Sequence, residues 1–203
     1  MPDTPAVGRR ERKKAATRQA IADAALELFL EHGFERVSVR DIAEKADVST
    51  TTLFAHFPSK EALVFDREAE VEAELIAAVR DRPAGQDVAE ALRAHALTSW
   101  GRLASDPRLG PFTALVDGSP ALREYGERMW VRHAGALGTA IAEELGREPD
   151  DIACAALARF VLDVPALATG RQDPRAAVEA VFDLLTHGWR PSRPGSQDAA
   201  GEG

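Results

Sequence analysis

With one cysteine in 203 residues, the chain cannot form an internal disulfide or a site of several thiolates. Cys154 sits in the apolar run from Ile152 to Val164 and reads as a small buried hydrophobe. No apolar run approaches the ~18 residues that a membrane span needs. The first residues lack the apolar core of a secretory leader, so a cytoplasmic protein without a membrane partner is expected. The five histidines, at 32, 56, 95, 133 and 187, never fall at His-x-x-x-His spacing. There is no Gly-rich phosphate loop. The acidic doublets Glu143-Glu144 and Asp150-Asp151 stand where solvated helix ends are expected. No constellation of nucleophile, acid and base emerges, so neither an enzyme, a metal nor a cofactor is expected. Strand signals and internal repeats are missing too.

What is present is ordinary in bulk and uneven in distribution. Hydrophobic residues make up 45% and charged residues 29%, as in a globular protein. The net charge of −8 divides sharply. Residues 1–60 hold ten Lys/Arg against nine Asp/Glu, whereas residues 61–203 hold 15 against 24. The first twenty residues carry six basic groups and two acidic ones. A basic arm ahead of an acidic body would orient the protein on a polyanion.

The stretch from Ser38 to Lys60, SVRDIAEKADVSTTTLFAHFPSK, organises the rest. Ser38 with Asp41 has the spacing of a capping box. Val39, Ile42, Ala43 and Ala46 fall on one helical face. Asp47-Val48 makes a turn, and Ser49 is a second N-cap. Val48 and Leu53 have the spacing of a hydrophobic staple. Leu53 and Phe57 point inward, and Pro58 stops the helix. Two short helices at a steep angle, the second opening on Thr50, Thr51 and Thr52, form a helix-turn-helix pattern whose second helix enters the major groove. The alternative is a pair of surface helices in a plain bundle. Three consecutive β-branched residues are poor helix formers and argue against it.

VSTTTLFAHFPSKEAL resembles the signature of the TetR family of dimeric transcriptional regulators. The preceding TRQAIADAALELFLEHGFERVSVRDIAEKADV is similar to that family's first helices. The resemblance is specific over about residues 12–66 and architectural beyond. Thr51 stands where the family often has Gly, and Phe54 where it often has Tyr. The Tyr hydroxyl is a common phosphate contact, so no DNA role is carried onto Phe54. Thr51 implies a different base preference.

The expected fold is all-α: an N-terminal three-helix DNA-binding domain at 9–58, then a helical effector-binding and dimerisation domain at 59–190. Disordered tails are expected at 1–8 and 191–203. The first helix runs from about Glu11 to Glu31 and ends at Gly33. Its basic cluster contributes Arg12, Lys13 and Arg18 to phosphate or minor-groove contacts. Thr50, Thr51 and Thr52 approach base edges, Ser49, His56 and Lys60 hold the backbone, and Ser38 and Arg40 reach flanking phosphates. A long helix from Lys60 to Arg80 follows, which the resemblance makes the link between head and body.

Further helices are expected around Leu92–Leu103, from Pro120 to Gly146, from Ile152 to Gly170, and from Pro174 through Trp189. A broken segment lies between Ser105 and Ser119. The last two helices are apolar around a wide arc. Phe160, Val161, Val164, Val178, Phe182 and Leu185 therefore suggest a four-helix interface across a two-fold axis, as reading a palindrome requires. A large monomeric core is the alternative. Trp100, Phe112, Met129, Trp130 and His133 are candidates for an effector pocket. Such inward residues are more often core, but the resemblance implies a small-molecule ligand in this part. The body is also loosely similar to members that respond to acyl-CoA-like ligands.

The expected function is a regulator, most simply a repressor, which releases a palindromic double-stranded operator when an effector binds. Control by a protein partner, or a helical enzyme, are the competing readings.

Overall fold

The computed structural model describes residues 8–188; Trp189 and the expected tails, apart from Gly8, lie outside the described residues. Among the described residues the regular structure is helical. The order is α1 (Arg9–His32), α2 (Val39–Lys45), α3 (Thr50–His56), α4 (Glu68–Arg80), α5 (Val88–Ala104), α6 (Leu109–Gly118), α7 (Pro120–Glu144), α8 (Ile152–Ala168) and α9 (Pro174–His187), with short 3-10 turns at Phe34–Arg36 and Glu61–Leu63. The chain forms two compact units. One comprises the residues up to Ile76 with Arg102–Leu137, the other Ala77–Gly101 with the residues from Gly138 on.

The first unit is built around the N-terminal helices. Ile21, Ala25 and Phe29 of α1, Ile42 of α2, Leu53 of α3 and Phe57 are 0–1% exposed and fill one core. Phe29 and Phe34 meet as a tilted pair, centroids 5.1 Å apart. Gly33 ends α1 with φ at 83°, a backbone state in which a side chain is strained.

Two sequence expectations fail here. The long helix from Lys60 does not form as one piece. Ala62, Leu63 and Val64 are consecutive and all buried in the head's core, and the 3-10 turn lets all three face it before α4 begins at Glu68. The broken segment after Ser105 is mostly helix. Gly110 and Pro111 occupy the first turn of α6, where a missing N–H costs no hydrogen bond. Phe112, Leu115 and Val116 of α6, with Leu122 of α7, pack against the head's core.

The second unit contains the α8–α9 hairpin. Asp151 caps α8 by accepting from the N–H groups of Ala153 and Cys154, and Asp173 caps α9 by accepting from Ala176. Cys154 is buried, as its apolar setting suggested. Gly138 lets α7 approach α8 closely, since a Cβ there would stand 3.3 Å from the Ala155 Cα. Arg80 with Glu143 and Arg82 with Glu144, each at 2.7 Å, bind the end of α4 and the chain after it to the end of α7.

Candidate nucleic-acid interface

Local hydrogen bonding explains why α2 and α3 stand where they do. The Ser38 hydroxyl accepts from the Asp41 N–H at 3.2 Å and donates to the Asp41 carboxylate at 2.7 Å; that carboxylate also accepts from the Ser38 N–H at 2.8 Å. These bonds hold the Asp41 carboxyl below its ordinary range. Asp47 takes φ 51° in the turn, a conformation that Asp tolerates better than most residues. Ser49 accepts from the Thr52 N–H at 3.0 Å, and its hydroxyl shares a 2.8 Å hydrogen bond with the Thr52 hydroxyl. Leu53 and Phe57 then anchor α3 in the core. Thr50, Thr51, Phe54 and Ala55 are left exposed, Phe54 at 51%.

Two cations expected on phosphate are structural ties. Arg18 donates to the carbonyls of His56 and Asp66, both at 2.7 Å, and its guanidinium lies 4.1 Å from the Phe57 ring centroid. It satisfies the last turn of α3 and pins that helix to α1. Lys60 donates to the Phe34 carbonyl at 2.6 Å with its ammonium 4.2 Å from the Phe34 ring centroid. Desolvation lowers its pKa, although Glu35 and Glu61 pull the other way. Both residues are half-buried. Nothing but their place beside buried aromatics distinguishes them from surface cations in the sequence.

The remaining residues divide. Arg12, Lys13 and Arg40 are exposed. Arg9, Arg10, Arg12, Lys13 and Lys14 crowd the first turns of α1, where the helix dipole disfavours positive charge. That arrangement costs the helix stability. The hydroxyls of Ser38, Ser49 and Thr52 are engaged within the protein, and His56 is half-buried.

The candidates for ligand contact divide between the two units. Trp100 falls in the second unit, and Phe112, Met129, Trp130 and His133 in the first. Phe112 lies edge-on to Phe65, centroids 6.1 Å apart. Met129 is 5% exposed and Trp130 37%. His133 is 1% exposed: its Nδ1 stands 2.7 Å from the Glu72 carboxylate of α4, and its Nε2 is buried without a hydrogen-bond partner. Trp130 meets it edge-on at 5.5 Å. One turn earlier on α4, Glu68 accepts from Tyr125 at 2.8 Å and from Arg132. Burial pushes the Glu68 carboxyl up, but those hydrogen bonds outweigh it and the net shift is downward. Burial and Glu68 together push the Tyr125 hydroxyl to about 12. These α4 carboxylates escaped the sequence reading because their partners lie about sixty residues away.

The interface candidates also need correction. Val161, Val164, Val178 and Phe182 are 0–4% exposed within their own chain and have no surface to offer a partner. Leu185 is half-buried. The large apolar side chains left outside are Ile152, Phe160 and Leu167 of α8 and Leu184 of α9, at 82%, 53%, 48% and 44%.

Comparison with known proteins identifies the head. The model of the family described as bacterial regulatory proteins, tetR family, matches residues 21–66. The transcriptional regulator TcmR of Streptomyces glaucescens is 32% identical over 151 residues, covering 71% of this chain and 67% of that protein. The transcriptional repressor AcnR of Corynebacterium diphtheriae is 28% identical over 188 residues, 87% and 93% of the two chains. Among solved structures, the SmeT–triclosan complex superposes with a TM-score of 0.57 at 25% identity, covering 85% of this chain and 90% of that one. No helix among the described residues is long and apolar enough to cross a membrane. A relationship that runs past the helix-turn-helix through two thirds of a full-length regulator places this chain in the TetR family of DNA-binding, dimerising transcriptional regulators, typically repressors and not enzymes.

Proposed function

We propose that this regulator is a repressor that sits on a palindromic operator as a dimer and leaves it when a small, mostly apolar molecule bearing a hydroxyl binds beside His133. Thr50 and Thr51 of α3 approach the bases, while Lys13, Arg40 and the exposed first turns of α1 meet phosphate. Phe160, Leu167 and Leu184 form the face that meets the second copy. Dimer and palindrome belong together because two identical heads read two half-sites related by the same axis.

His133 carries the effector reading. A carboxylate can only accept, so the Nδ1 facing Glu72 holds the hydrogen, and the Nε2 on the other side of the ring is buried without a partner, which a hydroxyl, able to donate and to accept, can supply. A buried polar atom without a partner costs about 1–3 kcal/mol. A ligand hydroxyl would remove that cost. The same ring holds α4 through Glu72, and α4 follows the head directly in the chain, so reorienting His133 changes how α4 is held.

The test begins with operator duplexes selected from a random library and a titration with triclosan, the phenol bound by the related SmeT. Triclosan is expected to weaken operator binding at least tenfold, which needs only about 1.4 kcal/mol of differential affinity. His133→Leu also removes the tie to Glu72, so it is expected to bind the operator more weakly than the wild type and to show no further release by triclosan. An operator complex indifferent to triclosan and to simple hydroxylated aromatics would leave control to a protein partner.

A further inference from the structure

The outward face of α3 is unusual for what it omits. From Thr50 to His56 the helix has no Arg, Lys, Asn, Gln, Asp or Glu, the side chains that read major-groove edges through paired or charge-assisted hydrogen bonds. The Thr52 hydroxyl is occupied by Ser49. What the exposed face offers is the methyl groups of Thr50, Thr51 and Ala55, two hydroxyls, and the ring of Phe54. Phe54 follows Thr50 by four residues and Thr51 by three, so all three share one patch of the helix surface. A phenyl ring without a hydroxyl cannot bond phosphate. Nor does it belong to the head's core, which includes Leu53 and Phe57 of the same stretch.

The apolar feature of the major groove is the C5 methyl of thymine. We infer that this regulator reads its operator chiefly through thymine methyl groups, with the Phe54 ring as the specificity-determining contact and the Thr50 and Thr51 methyls beside it. The inference rests on the DNA-reading role proposed above for α3. It assigns the half-sites a thymine beneath α3. It also gives Phe54 a positive function, where the comparison with a tyrosine-bearing head suggests only a lost phosphate bond.

Uracil pairs as thymine does and lacks only that methyl, which makes the test direct. Selected operator duplexes are remade with deoxyuridine in place of thymine, one position of each half-site at a time, and titrated with the full-length protein. At the contacted position the affinity is expected to fall about fourfold for each methyl, equivalent to ~0.8 kcal/mol for burying one methyl-sized group. Both half-sites together would then lose about fifteenfold. Phe54→Ala is expected to melt at the wild-type temperature and to bind the thymine and uracil duplexes within twofold of each other. Phe54→Tyr keeps the ring and should keep the discrimination. Uracil duplexes that bind within twofold of thymine at every position would overturn the inference while leaving the operator reading intact. A Phe54→Ala protein that retains the full discrimination would also overturn it, moving the contact elsewhere on the head. If no duplex binds at all, the α3 reading fails and this inference fails with it.

Discussion

Phe54 on α3 and Phe160 on α8 are almost equally exposed, at 51% and 53%, yet their surroundings differ. Phe54 stands on a seven-residue helix among threonines, behind the basic first turns of α1. Phe160 stands on a seventeen-residue helix that exposes Leu167 one heptad further on, with Leu184 exposed on α9. An isolated ring among hydroxyls suits a partner that is mostly polar with an occasional methyl. A ring continued by leucines suits a second apolar surface. Exposure alone does not distinguish a base-reading residue from an interface residue; the neighbours do.

The contrast can be broken most severely beneath Phe54. Leu53→Ala removes a side chain that is 0% exposed in the head's core and should cost about 2–5 kcal/mol, abolishing binding to every duplex and lowering the melting temperature. Its neighbour Phe54→Ala should leave melting untouched. Equal melting of the two variants would show that the head is not packed as described. Next in size is Phe160→Glu, which puts a charge on the proposed dimer face. By the ~2 kcal/mol or more that central interface residues supply, the dimer dissociation constant should rise at least thirtyfold in sedimentation velocity runs. A dimer of wild-type affinity would move the interface off α8.

The smallest effect concerns the caps. α3 is capped by the Ser49 hydroxyl, which acid leaves alone. α8 is capped by the Asp151 carboxylate, which the Cys154 N–H and Arg147 hold down at about 2 against an ordinary 3.8. A carboxyl depressed in the folded state contributes stability above its unfolded pKa and loses it as pH falls through the folded one. The melting difference between the wild type and Asp151→Asn should therefore be constant above about pH 4 and shrink towards pH 2. A difference that is the same across that range would show that the carboxylate's charge does not stabilise α8.

Local chemistry was legible in the sequence, and long-range chemistry was not. The capping box at Ser38 and Asp41, the Ser49 cap, the stop at Gly33 and the Asp151 and Pro174 starts all follow from residues within one turn of each other. The head's identity was readable for the same reason, because its motif is continuous. The break before α4 was missed because helical periodicity alone does not reveal that Ala62, Leu63 and Val64 are all required by a core formed elsewhere. Arg18 and Lys60 look like surface cations until Phe57 and Phe34 are folded against them. The α8–α9 residues were assigned to a partner because apolarity was clear, whereas their mutual burial depends on which face turns inward.

The shortness of α3 has a consequence of its own. Seven residues are well below the ~12–15 at which an isolated helix begins to persist in water. The reading surface therefore has no existence apart from the packed head. A peptide copied from Ser49 to Phe57 would be unstructured and could not serve as a competitor for the operator. Any agent that loosens the grip of Arg18 on the end of α3 would silence DNA recognition without touching a single residue that faces the bases.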